Sequence, residues 1–260
     1  MGRTDTSAPS AEACIEGHYL PLLAITGLAR EARLAAGPGI VTISTGADPV
    51  RLRAILDART QPGCRAAISI GIAGGLDPTL MPGDVVIATG VVTGSRRHSV
   101  PSTITDRLAG QLSGLSNRVV FADLVGVDAP ALTPVAKSAL RRQTGAAAVD
   151  MESHIAAAFA AKHDLPFAAI RAVCDPAHRT LPSCVISALR PNGSVNVMAV
   201  VSALADRSAK LGDLVQLAHD SKRAFKALRC CNRALIQDLG ISAISEPMGV
   251  VLPAALTLAA

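Results

Sequence analysis

An α/β fold is predicted for this chain of 260 residues. Three observations predict it. Apolar runs of strand length alternate with helix-patterned segments, the pattern of layered strands and helices. Half of the residues are hydrophobic and only 17% are charged, a globular composition with enough chain for one sizeable core. Aromatic side chains are nearly absent, with no Trp, one Tyr and four Phe, so that core is aliphatic. The chain divides into a polar lead-in over residues 1–19, a main domain over 20–205, and a basic amphipathic helix and tail over 206–260.

Taken in order, strand candidates are the apolar runs at 22–26, 40–45, 67–71, 85–92, 118–127 and 167–173, and they alternate with helix candidates at 49–58 and 134–144. The stretch 98–116 is polar and shows no clear period, and SRRHSVP, Ser95 to Pro101, reads as a mobile loop near a crevice, with its basic cluster solvated. A small apolar run enters Asp150, and the Ala-rich segment 155–161 lacks Gly and Pro, which predicts a short strand turning into a helix near Glu152. From Leu211 onward, Leu211, Leu214, Val215, Ala218, Phe225, Leu228 and Leu235 fall on one stripe, with Lys222, Arg223, Lys226, Arg229 and Arg233 off it. Such a helix packs its stripe on the protein body or a second subunit, or lies on a membrane surface. The apolar run 248–260 is shorter than the ~20 residues a spanning helix needs, and it contains Pro253.

Two motifs carry chemistry. AVDMES, residues 148–153, places Asp150 and Glu152 at a helix start. RAVCDP, residues 171–176, ends a strand at Asp175, because the residue before Pro is pushed out of the helical region. Ligands bind at the carboxyl ends of strands in open α/β sheets, so Glu152 and Asp175 are expected to face one crevice. The plain alternatives are that Asp150 and Glu152 cap a helix and that Asp175 is a turn residue. A third motif, GIAGGLDPTLMPGDVV from Gly71, clusters Gly71, Gly74 and Gly75, which lets backbone approach a ligand and adopt positive φ. It is neither a dinucleotide fingerprint nor a Walker loop.

Along the chain, GIAGGLDPTLMPGDVV, AVDMES and PFAAIRAVCD, in that order, resemble the superfamily of purine nucleoside phosphorylases and methylthioadenosine/S-adenosylhomocysteine nucleosidases. The resemblance implies a three-layer α/β/α fold around a mixed sheet and cleavage of an N-glycosidic bond. It places Glu152 against the ribose hydroxyls, Met151 beside the sugar, and Asp175 as the acid that assists departure of the purine through N7. Ala73, Gly74 and Val149 line the substrate. AITGLAREARLA resembles the first strand and loop of the nucleosidases and puts Glu31 where those enzymes carry the carboxylate that activates water. Arg30, with Gly27 and Gly46, could instead serve phosphate as co-substrate. On spacing alone, Glu31 reads as a solvated charge pairing with neighbouring arginines. The chain departs from the nucleosidases at Ile72, where a small hydroxyl residue is common, and at Cys174, where serine is usual. ALRPNGSVNVMAVV, from Ala188, and the TGAAAVDMES run from Thr144 resemble the hopanoid-associated branch. That branch implies release of adenine from adenosylhopane, a nucleoside with a large polycyclic lipid at its 5′ carbon. The alternatives are an ordinary methylthioadenosine or adenosylhomocysteine nucleosidase, and a nucleoside-binding module without turnover.

Breaking a ribosyl C–N bond builds positive charge on the sugar and negative charge on the base. A carboxylate near the hydroxyls and a proton donor near the purine therefore both act mainly in the transition state. No cofactor other than phosphate as an alternative acceptor is implied, and six scattered histidines and six cysteines without a CxxC pair suggest neither a metal site nor a disulfide framework. A reducing cytoplasm fits, with peripheral contact at the inner membrane face as an added expectation. The net charge of +5 suits an anionic membrane or an arginine-rich composition. Nucleic acid is not expected, because stacking platforms are scarce. The superfamily resemblance implies a homodimer or higher homo-oligomer.

Overall fold

A computed structural model describes residues 20–182 and 211–237. The run LLAIT forms β1 (Leu22–Thr26), buried at every position, and leads into the short helix α1 (Ala29–Ala35). β2 (Ile40–Ser44) follows, and then α2 (Pro49–Asp57), which starts where the Asp48 side chain accepts the backbone N–H of Arg51 at 3.0 Å and Pro49 occupies the first turn. The remaining elements are β3 (Ala66–Gly75), β4 (Val85–Thr93), β5 (Arg96–Ser99), α3 (Ser102–Leu112), β6 (Val119–Gly126), α4 (Pro134–Thr144), β7 (Ala148–Asp150), α5 (Ser153–Lys162), β8 (Phe167–Asp175) and α6 (Leu211–Gln237). Thr133 and Pro134 open α4, and Gly145 closes it at φ +70°, a left-handed position that glycine takes without a Cβ penalty.

The sheet is mixed, as expected. β1 lies parallel between β2 and β3, and β3 is parallel to β8. β8 runs antiparallel to β4, β4 is parallel to β6, β6 is parallel to β7, and β7 returns antiparallel to β3. These pairings close a ring of five strands, β3, β8, β4, β6 and β7. Its seam is Gly74, whose register partners are Val149 on one side and Asp175 on the other, with an irregularity between Ala73 and Gly74. Two residues far apart in the chain are thereby brought next to one glycine.

Helices cover the sheet in two groups. α6 touches both α1 and α3, and α2 packs against α5. The core between them is aliphatic, with Leu23, Ile25, Leu52, Val85, Ile87, Leu108, Leu124 and Ile170 fully buried.

Three sequence expectations change. The glycine cluster lies inside β3 rather than in a loop, and neither Gly71, Gly74 nor Gly75 has positive φ. β8 continues through Cys174 to Asp175 instead of ending at Val173. Ser95 to Pro101 is largely β5, paired antiparallel to β4, and is followed by α3. Cross-strand ion pairing holds it: Arg97 donates to both carboxylate oxygens of Asp123, at 2.6 and 2.7 Å, and to the Thr89 carbonyl. An edge strand stabilised through polar groups leaves no apolar alternation to read.

In α6, Ala224, Phe225, Ala227, Leu228 and Cys231 are buried and the helix packs on β8, while Val215 and Ala218 of the expected stripe stay exposed. Lys222, Arg223, Lys226, Arg229 and Arg233 all face outward. The stripe thus covers the body in its second half. No described helix is long and apolar enough to cross a membrane. The ALRPNGSVNVMAVV segment and the run 248–260 lie outside the described residues.

Candidate active site

One cavity of about 170 Å³ sits at the ends of β1, β3, β7 and β8 and is lined by Gly27, Leu28, Glu31, Ile72, Ala73, Gly74, Val149, Met151, Glu152 and Asp175, among others. Of the residues expected to act on a ligand, Asp175, Glu31, Glu152, Met151, Ala73, Gly74, Val149 and Gly27 all reach it. Gly46 does not line it; its backbone N–H donates to the Gly27 carbonyl at 2.8 Å, in a turn with φ +74°, and places the neighbouring Ala47 at the wall. Arg30, expected as a phosphate ligand, is exposed and lies over the Phe225 ring at 4.1 Å, away from the cavity. No Lys or Arg is among the described lining residues.

Glu31 is 3% exposed, so the solvated reading does not hold. It occupies the third position of α1, and its Oε2 accepts the N–H groups of Gly27 and Leu28 at 2.9 and 2.7 Å, as a helix-capping glutamate does. Oε1 accepts the N–H of Ile72 at 2.8 Å. Three of roughly four acceptor positions are filled, which fixes the carboxylate and leaves about one free. Burial pushes its pKa up, and the three backbone donors and Arg171 oppose that rise.

Glycine matters here for space. A Cβ on Gly71 would stand 2.8 Å from Glu31 Oε1, and one on Gly27 would stand 2.5 Å from Glu152 Oε1. A Cβ on Gly74 would meet Asp175 Oδ2 at 3.2 Å and Val149 at 3.3 Å. The cluster in β3 thus makes room for the carboxylates by lacking side chains.

Asp150 and Glu152 divide the two readings of their motif. Asp150 caps α5: its Oδ1 accepts the N–H groups of Glu152 and Ser153 at 3.0 and 2.8 Å. Its Oδ2 receives Arg171 Nε at 2.8 Å. Arg171 is wholly buried, also donates to Ser69 Oγ at 2.6 Å and the Ile170 carbonyl at 3.1 Å, and lies 3.8 Å from Glu152 Oε2. Glu152, 8% exposed, has the Met151 backbone as a hydrogen-bond partner and lines the cavity. Burial raises its pKa to about 8; Arg171 pulls it down, and the charges of Asp150 and Glu31 add to the rise. Three carboxylates therefore share one guanidinium.

At the other end Asp175 is buried, and burial raises its pKa while Lys137 counteracts. Lys137 Nζ lies 2.5 Å from Asp175 Oδ2 and also donates to the carbonyls of Pro176 and Arg179 at 2.9 and 3.2 Å. The Cys174 thiol, its own pKa pushed well up by burial, donates to Asp175 Oδ1 at 3.0 Å. Lys137 and Arg171 are the two buried cations that the motifs did not single out. Arg171 stands inside the quoted RAVCDP motif, and its place in a fully apolar run was a usable signal. Lys137 sits in a polar helix 38 residues before Asp175, where nothing in the sequence marks it.

A sequence profile described as the phosphorylase superfamily matches residues 26–215. Among curated proteins, the 5′-methylthioadenosine/S-adenosylhomocysteine nucleosidases of Mycobacterium bovis and Mycobacterium tuberculosis are each 27% identical over 152 residues. The match covers 44% of this chain and 60% of theirs. In fold, the chain is similar to the 5′-methylthioadenosine/S-adenosylhomocysteine nucleosidase from Neisseria meningitidis in complex with methylthio-immucillin-A, with a TM-score of 0.63 at 15% identity, covering 84% of this chain and 99% of that one. It is likewise similar to futalosine hydrolase of Helicobacter pylori, with a TM-score of 0.58 at 14% identity, covering 82% and 98%. With the profile spanning most of its length, the chain belongs to the phosphorylase superfamily.

Proposed function

We propose that this protein hydrolyses the N-glycosidic bond of a 5′-substituted adenosine and releases adenine. The single observation that carries the proposal is the convergence of Glu31, Glu152 and Asp175 on one cavity that no described Lys or Arg lines. An acid-rich pocket favours positive charge building on a ribosyl group and offers poor company to a phosphate dianion, so water is the acceptor. Glu31, made more basic by burial, takes a proton from the attacking water through its remaining acceptor position. Glu152 meets the ribose hydroxyls. As a buried carboxyl whose pKa is raised to about 8, it accepts hydrogen bonds from those hydroxyls that strengthen as cationic charge appears on the sugar, an interaction stronger in the transition state than before it. Asp175, buried enough to hold a proton, gives it to the departing purine.

For the 5′ group we favour a bulky lipid, as in adenosylhopane. The cavity is small, and Leu28, Ile72, Val127, Pro130, Ala131 and Leu181 line it with apolar or weakly polar groups. A polycyclic substituent would leave through this wall toward solvent. The exposed cations of α6 suit contact with the anionic surface of a bilayer holding such a substrate. A methylthioadenosine or adenosylhomocysteine nucleosidase is the second reading, favoured by the mycobacterial and Neisseria relatives. Incubating the purified chain with adenosylhopane, methylthioadenosine and adenosylhomocysteine, each with and without phosphate, and measuring free adenine separates them. Phosphate-independent release, fastest with the lipid nucleoside, is expected. Release that requires phosphate overturns hydrolysis, and release only from the sulfur nucleosides overturns the lipid assignment.

A further inference from the structure

Lys137 is the sole residue of α4 that the protein buries, and it is an ion. Burying an ammonium is costly unless it is paired and hydrogen-bonded, and an apolar side chain of similar volume would fill the same space at no such cost. All three donors of its Nζ are spent on one short stretch: Asp175 Oδ2, the Pro176 carbonyl and the Arg179 carbonyl. That stretch is also tied to the turn before α4, where the Leu181 N–H donates to the Leu132 carbonyl at 2.8 Å, and to α6 through an ion pair of Arg179 with Asp220. The peptide after Asp175 is thus anchored without Lys137. What Lys137 adds beyond its two bonds to that backbone is a fixed, charged donor on Oδ2 of the carboxyl group, whose Oδ1 accepts from the Cys174 thiol.

We propose that Lys137 is a positioning residue for the leaving-group acid: its Nζ holds Asp175 Oδ2 so that the carboxyl faces the cavity beside Gly74, and it stabilises the carboxylate formed when Asp175 gives up its proton. The inference rests on the proposed glycosidic cleavage. In that step the C1′–N9 bond breaks with its electron pair passing to the purine, the Asp175 proton goes to the purine nitrogen, and water adds to C1′ while losing a proton to Glu31. The anion left at Asp175 lies against Lys137. Solvent then returns the proton from Glu31 to Asp175, so acid and base are both reset and no other reactant is needed.

This role depends on the leaving group, whereas a merely structural one does not. Two substrates separate them: a 5′-substituted adenosine, whose purine needs a proton, and 4-nitrophenyl β-ribofuranoside, whose phenolate departs without one. For Lys137→Met, adenine release is expected to fall by about tenfold or more, toward the level of Asp175→Asn, within the range general acid catalysis commonly contributes. Nitrophenolate release should stay within about twofold of the parent protein, and Lys137→Arg should recover part of the adenine activity. With the positive neighbour gone, the alkaline limb of kcat/KM for the nucleoside should move to higher pH. If Lys137→Met does not fold, Lys137→Gln is read by the same two ratios. Equal losses on both substrates with an unmoved alkaline limb overturn the proposal, as does adenine release at the parental rate. A parent protein that cleaves the nitrophenyl riboside but no nucleoside instead overturns the adenine-releasing reading on which the inference stands.

Discussion

The two ends of the cavity are built on opposite charge rules. At one end, Glu31, Asp150 and Glu152 share the single guanidinium of Arg171, and burial, with the charges of Asp150 and Glu31 adding to it, raises Glu152 to about 8. At the other end, Asp175 and Lys137 stand one to one, both buried. An unbalanced site favours a cation that appears nearby, whereas a paired lysine favours the carboxylate beside it. Buried carboxyl groups in one cavity thus differ in electrostatics because their neighbours differ.

That contrast can be broken at several points. The largest effect is expected from Arg171→Met, which leaves three buried acids without their counter-ion; loss of one partner from such a buried cluster costs about 3–5 kcal/mol, readable as a fall in the denaturation midpoint. Next, Asp175→Asn should lower kcat for adenine release by about 10²-fold or more, since the amide cannot supply the proton. Gly27→Ala should follow: its Cβ would stand 2.5 Å from Glu152 Oε1, so the carboxylate must shift. A misplaced group of this kind costs on the order of 10²-fold at worst, with Asp175 untouched.

A smaller effect sharpens the comparison through pH. Glu152 has a folded-state pKa raised from 4.5 to about 8, so between those values the folded chain binds the proton that the unfolded chain has lost. Its contribution to stability is complete below the lower value and disappears as pH rises through about 8. Melting temperature should therefore decline over that window, and Glu152→Gln should flatten the decline. Smallest of all, Asp128→Ala, which takes one exposed carboxylate from both Arg53 and the His154 ring, should lower stability by about 1 kcal/mol.

Much of the fold was legible because its strands are apolar runs and its helices begin with good punctuation: β1 and α4 fall where the sequence puts them, and β2, β4, β6 and α2 end within two residues. β5 was missed because Arg97 and Asp123 hold that edge by charge, which leaves no apolar alternation to see, whereas α3 does carry a helical stripe, Ile104, Leu108 and Leu112, within a mostly polar stretch. Asp175, Glu152 and Glu31 were legible through motifs, yet their mutual placement depends on Gly74 pairing with Val149 and Asp175 at once, a fact of register. Positive φ was the wrong reason for the glycines. Lys137 was invisible, since a lysine in a polar helix is ordinarily solvated and only the folded chain shows it pointing inward.

The most direct test is adenine release by the purified chain from a 5′-substituted adenosine in phosphate-free buffer, compared with Glu31→Gln and Asp175→Asn. Steady release by the parent protein, lost by about 10²-fold or more in each variant, is the result predicted here. Release that begins only when phosphate is added, or that survives both substitutions, would contradict a hydrolytic site built on these two acids.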